Sequence, residues 1–226
     1  MTSPGHPFRL IVFDVDGTLV DSQHAILEVM ATAFAGEGLA SPTLEVVRRH
    51  VGLGIEETMV RLLPEADAAL HRRLAQGFRE AAFALRRRPG FTEPLYPGIR
   101  EALDGLSHPA VFLGIATGKA RRGLDYTLAS HDLAGLFHTL QTADRNPSKP
   151  HPAMLLAAMA EVGVEPAETV LIGDSIHDMA MAAAAGTAAL GVAWGYNGRE
   201  DLRIAGADRI IETPAELVST LVLMEA

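Results

Sequence analysis

The chain has 226 residues, a formal net charge of −9 and no cysteine, a length that suits one large domain or a core carrying a smaller insertion. The acidic surplus argues against nonspecific binding to nucleic acid or anionic membrane, which both draw on Lys and Arg. Without cysteine, disulfides, thiolate zinc sites and cysteine nucleophiles are excluded, and oxygen atoms become the default ligands for any metal. With 48% apolar and 21% charged residues, a compact globular protein is expected. The apolar run Leu10 to Phe13 is too short for a signal peptide or a membrane span, so a soluble, cytoplasmic protein is expected.

In chain order, the first predicted strand is Arg9 to Phe13, and DVDGTLVDS follows it at Asp14 to Ser22. From about Ser22 to Leu95 the apolar spacing is helical, at Ala25 to Phe34, Ile55 to Leu63 and Ala66 to Leu85, with no convincing strand. Pro42, Pro64, Pro89, Pro94 and Pro97 punctuate this stretch. Residues 22–95 therefore read as a helical cap inserted into a core formed by residues 1–21 and 96–226.

Beyond the insertion the pattern becomes strand then helix. Strands are predicted at Val111 to Ala116, Thr169 to Ile172, Ala188 to Ala193 and Arg209 to Ile211, and helices at Lys119 to His131, His151 to Val162 and Ile176 to Ala185. Such alternation predicts an α/β core, a doubly wound parallel sheet covered by helices.

Sites in these sheets form at the carboxyl ends of the strands, and four places there carry polar groups. They are DVDGTLVDS, Thr117 in ATGK, Lys149 in NPSKPHP, and GDSIHD at Gly173 to Asp178. The like charges of Asp14 and Asp16 make a poor strand ending by themselves. A divalent cation relieves the repulsion, and oxygen ligands with room for water and phosphate suit Mg²⁺; Asp174 is the natural further ligand.

Asp14 is then placed to attack phosphorus, dividing one hydrolysis into formation and breakdown of an aspartyl phosphate. Asp16 is placed to protonate the leaving oxygen and later deprotonate water. Gly17 supplies a tight turn that admits an anion to backbone amides. Thr117, with Gly118 after it, and Lys149 suit phosphoryl oxygens. Asp178, four residues after Asp174, reads as a support for the metal shell or for Lys149. Taken singly, each has a plainer role: Asp174 or Ser175 as a helix cap, Lys149 as a loop lysine, Thr117 as a turn residue. Together, in one order after successive strands, they point to a site.

With these motifs the chain resembles the haloacid dehalogenase superfamily over nearly its whole length. The resemblance implies a Rossmann-like core with a helical cap, Asp14 as nucleophile, Asp16 as acid/base, and magnesium held by Asp14, Asp174 and the backbone carbonyl of Asp16. Within the superfamily, VGLG at Val51 to Gly54 and WGYN at Trp194 to Asn197 resemble the phosphoglycolate phosphatase group, although Trp194 also reads as a loop-anchoring aromatic. Asp16 speaks against dehalogenase and phosphonate-cleaving activities, which lack that second aspartate. Ile55 stands where a β-phosphoglucomutase-like mutase carries arginine, which demotes that alternative. A noncatalytic binding protein is a third reading, and the intact set of motifs opposes it.

The expected substrate is a small phosphorylated metabolite, with phosphoglycolate a leading example. Arg49, with Arg48, His50 and Arg61, is a candidate contact to a second anionic group, against the plainer reading of a solvated helix face. Arg86 to Arg88 read as a charged helix end. Hinges are expected near Asp21 to Gln23 and Tyr96 to Gly98. No heptad or other interface signature separates monomer from homodimer.

Overall fold

A computed structural model describes residues 7–224, so the outermost ends of the expected core lie outside the described residues. Six strands form one parallel sheet: β1 (Leu10–Phe13), β2 (Phe112–Thr117), β3 (Thr139–Thr142), β4 (Thr169–Gly173), β5 (Ala188–Val192) and β6 (Arg209–Ile211). Their order is β3-β2-β1-β4-β5-β6, the doubly wound arrangement in which connections diverge from β1. The α/β core anticipated from the sequence is present.

β1 reads as an unbroken apolar run because helices cover both faces of the sheet, so every one of its residues is buried. Ile11 and Phe13 face one layer, built by α5 (Ile99–Gly105), α6 (Arg121–Ser130) and α10 (Leu217–Leu223). Leu10 and Val12 face the other, built by α7 (Ala153–Val162), α8 (Ile176–Ala185) and α9 (Arg199–Ile204). This is the two-residue strand period expressed as two separate cores.

Between β1 and α5 the regular elements are all helical: α1 (Gln23–Gly36), α2 (Leu44–Arg48), α3 (Ile55–Leu62) and α4 (Ala68–Arg86). Thr43 caps α2 through Val46 N, and Asp67 caps α4 by accepting from Leu70 N at 2.7 Å. These helices share their own cluster, with Met30, Phe34, Val47, Met59 and Leu74 buried together. The two connections to the core run side by side. Val20 and Leu95 form an antiparallel bridge, flanked by Asp21 N donating to Pro94 O at 2.8 Å and Tyr96 N to Leu19 O at 3.0 Å.

Besides α5, α9 and α10, which the sequence reading did not name, two further elements escaped it. Strand β3, TLQT, carries mostly polar residues and lies at the sheet edge, where short, polar strands are tolerated because only one side must pair. Helix α2 is five residues long, too short for a periodic signal. Among the described residues, no helix is long and apolar enough to cross a membrane.

Candidate active site

The polar residues singled out above converge where β1, β2 and β4 end, beside the position at which the sheet's connections diverge. Asp14 follows β1 directly and is 1% exposed. Its Oδ1 lies 2.9 Å from Lys149 Nζ, which is also 2.6 Å from Asp178 Oδ1. The Lys149 side chain is completely buried, yet burial is outweighed by the Asp14 and Asp178 carboxylates, which hold its pKa above the ordinary value. Lys149 is thus a fixed cation at the end of the nucleophile candidate.

Asp178 is fully committed to that arrangement. Its Oδ2 accepts from Ser175 Oγ at 2.6 Å and Ser175 N at 3.1 Å, and Ser175 in turn caps α8 through Asp178 N. The helix cap left open between Asp174 and Ser175 belongs to Ser175. A side chain at Gly173 would place its Cβ 2.4 Å from the Asp178 carboxyl carbon, so that glycine makes room for the clasp.

Asp174 is freed for other work. Its Oδ1 accepts from Thr18 Oγ1 at 2.9 Å and its Oδ2 from Tyr196 N at 2.9 Å. Two glycines hold the carboxylate between them: a Cβ on Gly17, whose φ is +88°, or on Gly195 would stand 2.2 Å from Asp174 atoms. Burial, then repulsion from Asp178, pushes the Asp174 pKa up to about 7. Burial likewise raises Asp14 well above the carboxylate range, against the pull of Lys149, with Asp178 and Asp174 adding to the rise.

Carboxylate oxygens of Asp14, Asp174 and Asp178 all lie within 4.8 Å of one another, and Asp14 Oδ2 has no hydrogen-bond partner among the described residues. An all-oxygen cluster with one buried orphan oxygen, in which Asp14 and Asp174 both have raised pKa values, fits a hard divalent cation. Asp178 is drawn instead towards Lys149 and Ser175. That leaves Asp14 and Asp174 as the side chains that could hold the ion.

Asp16 occupies a different pocket. Its Oδ1 receives a hydrogen bond from Ser22 Oγ and lies 2.7 Å from Lys119 Nζ. Lys119 also reaches Glu93 at 3.1 Å, and Glu93 accepts from Thr127 Oγ1 at 2.9 Å. Burial opposes the Lys119 charge, but Asp16 and Glu93 overcome it and hold its pKa above normal. The sequence reading treated Lys119 only as a helix start. Its place two residues beyond Thr117, at a strand's carboxyl end, was the available signal; Glu93, within the proline-rich return to the core, gave none.

Thr117 is fully buried at the end of β2, its Oγ1 accepting from Lys119 N at 3.2 Å. At Gly118 a Cβ would stand 2.4 Å from Leu53 O and 2.7 Å from Gly52 O. The VGLG turn therefore lies against the loop after β2, and Gly54 N donates to Ser148 Oγ at 2.8 Å beside Lys149. Trp194 anchors its loop by donating to Thr18 O at 3.0 Å.

Arg49 is not brought to this cluster. Its guanidinium is 71% exposed and pairs with Glu45 one helical turn earlier, so the solvated-face reading describes it. Arg48 turns to Gln23, Arg61 to Glu57 and His50 to Val46 O. Each of these side chains found a partner on its own or a neighbouring helix, which spacing towards a distant site could not reveal.

The family model for haloacid dehalogenase-like hydrolases matches residues 11–192. The probable phosphatase IndB of Dickeya dadantii is 33% identical over 216 residues, covering 92% of this chain and 91% of that protein. The phosphoglycolate phosphatase of Photorhabdus laumondii is 32% identical over 215 residues, covering 94% and 92%. Among solved structures, a hydrolase from Pseudomonas syringae superposes with a TM-score of 0.84 at 26% identity, covering 96% of this chain and 99% of that one.

Proposed function

The chain belongs to the haloacid dehalogenase-like hydrolases, and on that basis we propose that it is a magnesium-dependent phosphatase of a small-molecule phosphomonoester, working through an aspartyl phosphate on Asp14. The observation that carries this reading is the Asp14 carboxylate, buried beside Lys149 with one oxygen free of hydrogen bonds. The phosphatase names of the relatives support it.

In this reading Asp14 attacks phosphorus, the bond from phosphorus to the ester oxygen breaks, and Asp16 gives that oxygen its proton. Asp16 then takes a proton from water as the water attacks phosphorus, and the bond to Asp14 breaks, restoring the Asp14 carboxylate and the protonated Asp16. Lys149, Thr117 and the Gly118 amide receive the phosphoryl oxygens, while Gly17, whose amide donates to Val20 O at 2.9 Å, shapes the turn beside them. Asp14 and Asp174, with the backbone carbonyl of Asp16, hold the Mg²⁺, which supplies charge neutralisation for the phosphoryl group. Asp178 fixes Lys149. Residues 22–95 act as a cap over the core of residues 1–21 and 96–226, hinged where Val20 and Leu95 pair.

Phosphate release with and without magnesium, measured on phosphoglycolate, other alkyl phosphates and an aryl phosphate, tests the class. Asp14→Asn should lower turnover by at least about 10³-fold with its fold intact by circular dichroism. Near-normal turnover by that variant would remove Asp14 from the role of nucleophile.

A further inference from the structure

A cavity of about 490 Å³ opens from Asp16 between the helical insertion and the loop after β2. That is within the range of small-molecule sites and far more than the two-carbon alcohol of phosphoglycolate would fill. Its insertion-side wall is apolar, formed by Ile26, Val29 and Met30 of α1, Phe78 and Ala82 of α4, and Phe91.

Among the described residues the cation paired with Asp16 is Lys119, and Glu93 shares it. The lining also includes Arg86 and Arg122; among the described residues neither makes a salt bridge, although the Arg86 charge is felt by Glu93 and Lys119. Arg86 has a buried Nε without a hydrogen-bond partner. Its guanidinium lies 3.0 Å from where a Cβ on Gly123 would stand, so this glycine leaves space for it. Arg122 is braced over the Phe83 ring at 3.9 Å. A charged helix end accounts for the position of Arg86 in the sequence, not for a buried donor lacking an acceptor.

Resting on the phosphatase reading above, we infer that the alcohol released is larger than glycolate: it has an apolar, ring-sized body packed against α1 and α4 and a second anionic group received by Arg86 and Arg122. The apolar wall supplies affinity by burial, and the arginines set orientation through charge-assisted hydrogen bonds.

The test compares kcat/KM, with magnesium, for three primary alkyl phosphates of similar leaving group: phosphoglycolate, benzyl phosphate and para-carboxybenzyl phosphate. The carboxybenzyl ester should exceed phosphoglycolate by at least about tenfold. Arg86→Met should lower the carboxybenzyl ester about tenfold more than benzyl phosphate, as expected for loss of one charged hydrogen bond. Ala25→Phe, which fills the cavity from a half-buried position, should lower both benzyl esters relative to phosphoglycolate. Phosphoglycolate as the best of the three, or equal losses on all three esters in both variants, would overturn the inference while leaving the phosphatase reading intact. No release from any ester, an aryl phosphate included, would overturn the phosphatase reading and this inference together.

Discussion

At the scale of single residues, the site is a set of buried charges whose balance is made by contact. Asp174, pushed up to about 7 by burial and Asp178, is an acid with a raised pKa in the folded chain. Its contribution to the stability of the metal-free protein is complete below the ordinary carboxylate range and is lost as pH rises towards about 7. Magnesium needs the ionised form, so it should raise the melting temperature more at about pH 8 than at about pH 6, where a proton must first leave. Asp174→Asn should melt higher than the parent at about pH 8 without metal, and lose the magnesium response. Thermal melts across pH, with and without magnesium, read both effects. Gly17→Ala should weaken magnesium activation by at least about tenfold: the left-handed backbone costs about 1 to 2 kcal/mol, and the new Cβ would lie 2.2 Å from an Asp174 oxygen. A magnesium titration of activity gives the number. The candidate nucleophile, acid/base, lysine and metal carboxylates were legible as residues because each lies at a strand end or the start of a helix. Their partners were not.

At the scale of elements, legibility followed periodicity and burial. α3 and α8 lie almost where their apolar spacing placed them, whereas β3 is a polar edge strand and left no apolar run to detect. The insertion is held largely by the α1 and α4 pair, and Gly77 sits on that contact, where an added Cβ would meet Ala33 Cβ at 3.5 Å, an ordinary packing distance. Gly77→Ala should therefore stabilise the protein by about 0.5 to 1 kcal/mol through helix propensity, measured by chemical denaturation. A decrease in stability would mean that the two helices cannot yield even at that spacing.

At the scale of the whole molecule, the helical insertion and the core meet through two joined connections and through several close approaches, among them the VGLG turn against Gly118 and Arg122 over Phe83. Magnesium with a phosphate analogue such as beryllofluoride should slow amide hydrogen exchange in residues 51–54 and 118–120 together, as closure excludes water from the site. Unchanged exchange there, with the analogue bound, would mean that the contact does not depend on the phosphoryl group. The sequence by itself determined the layered α/β core, the helical content of the insertion, and the identities of the acidic residues, threonine and lysine at the strand ends. These are written in local spacing and in the burial each element needs. Only the tertiary structure decided that Lys119 joins Asp16 to Glu93, that Thr18 and Tyr196 hold Asp174, and that Arg49 turns to solvent while Arg86 lines the cavity. Thr18 and Asp174 are 156 residues apart, and pairings of that kind are set by how loops from separate strands fold over one another, which no local period records.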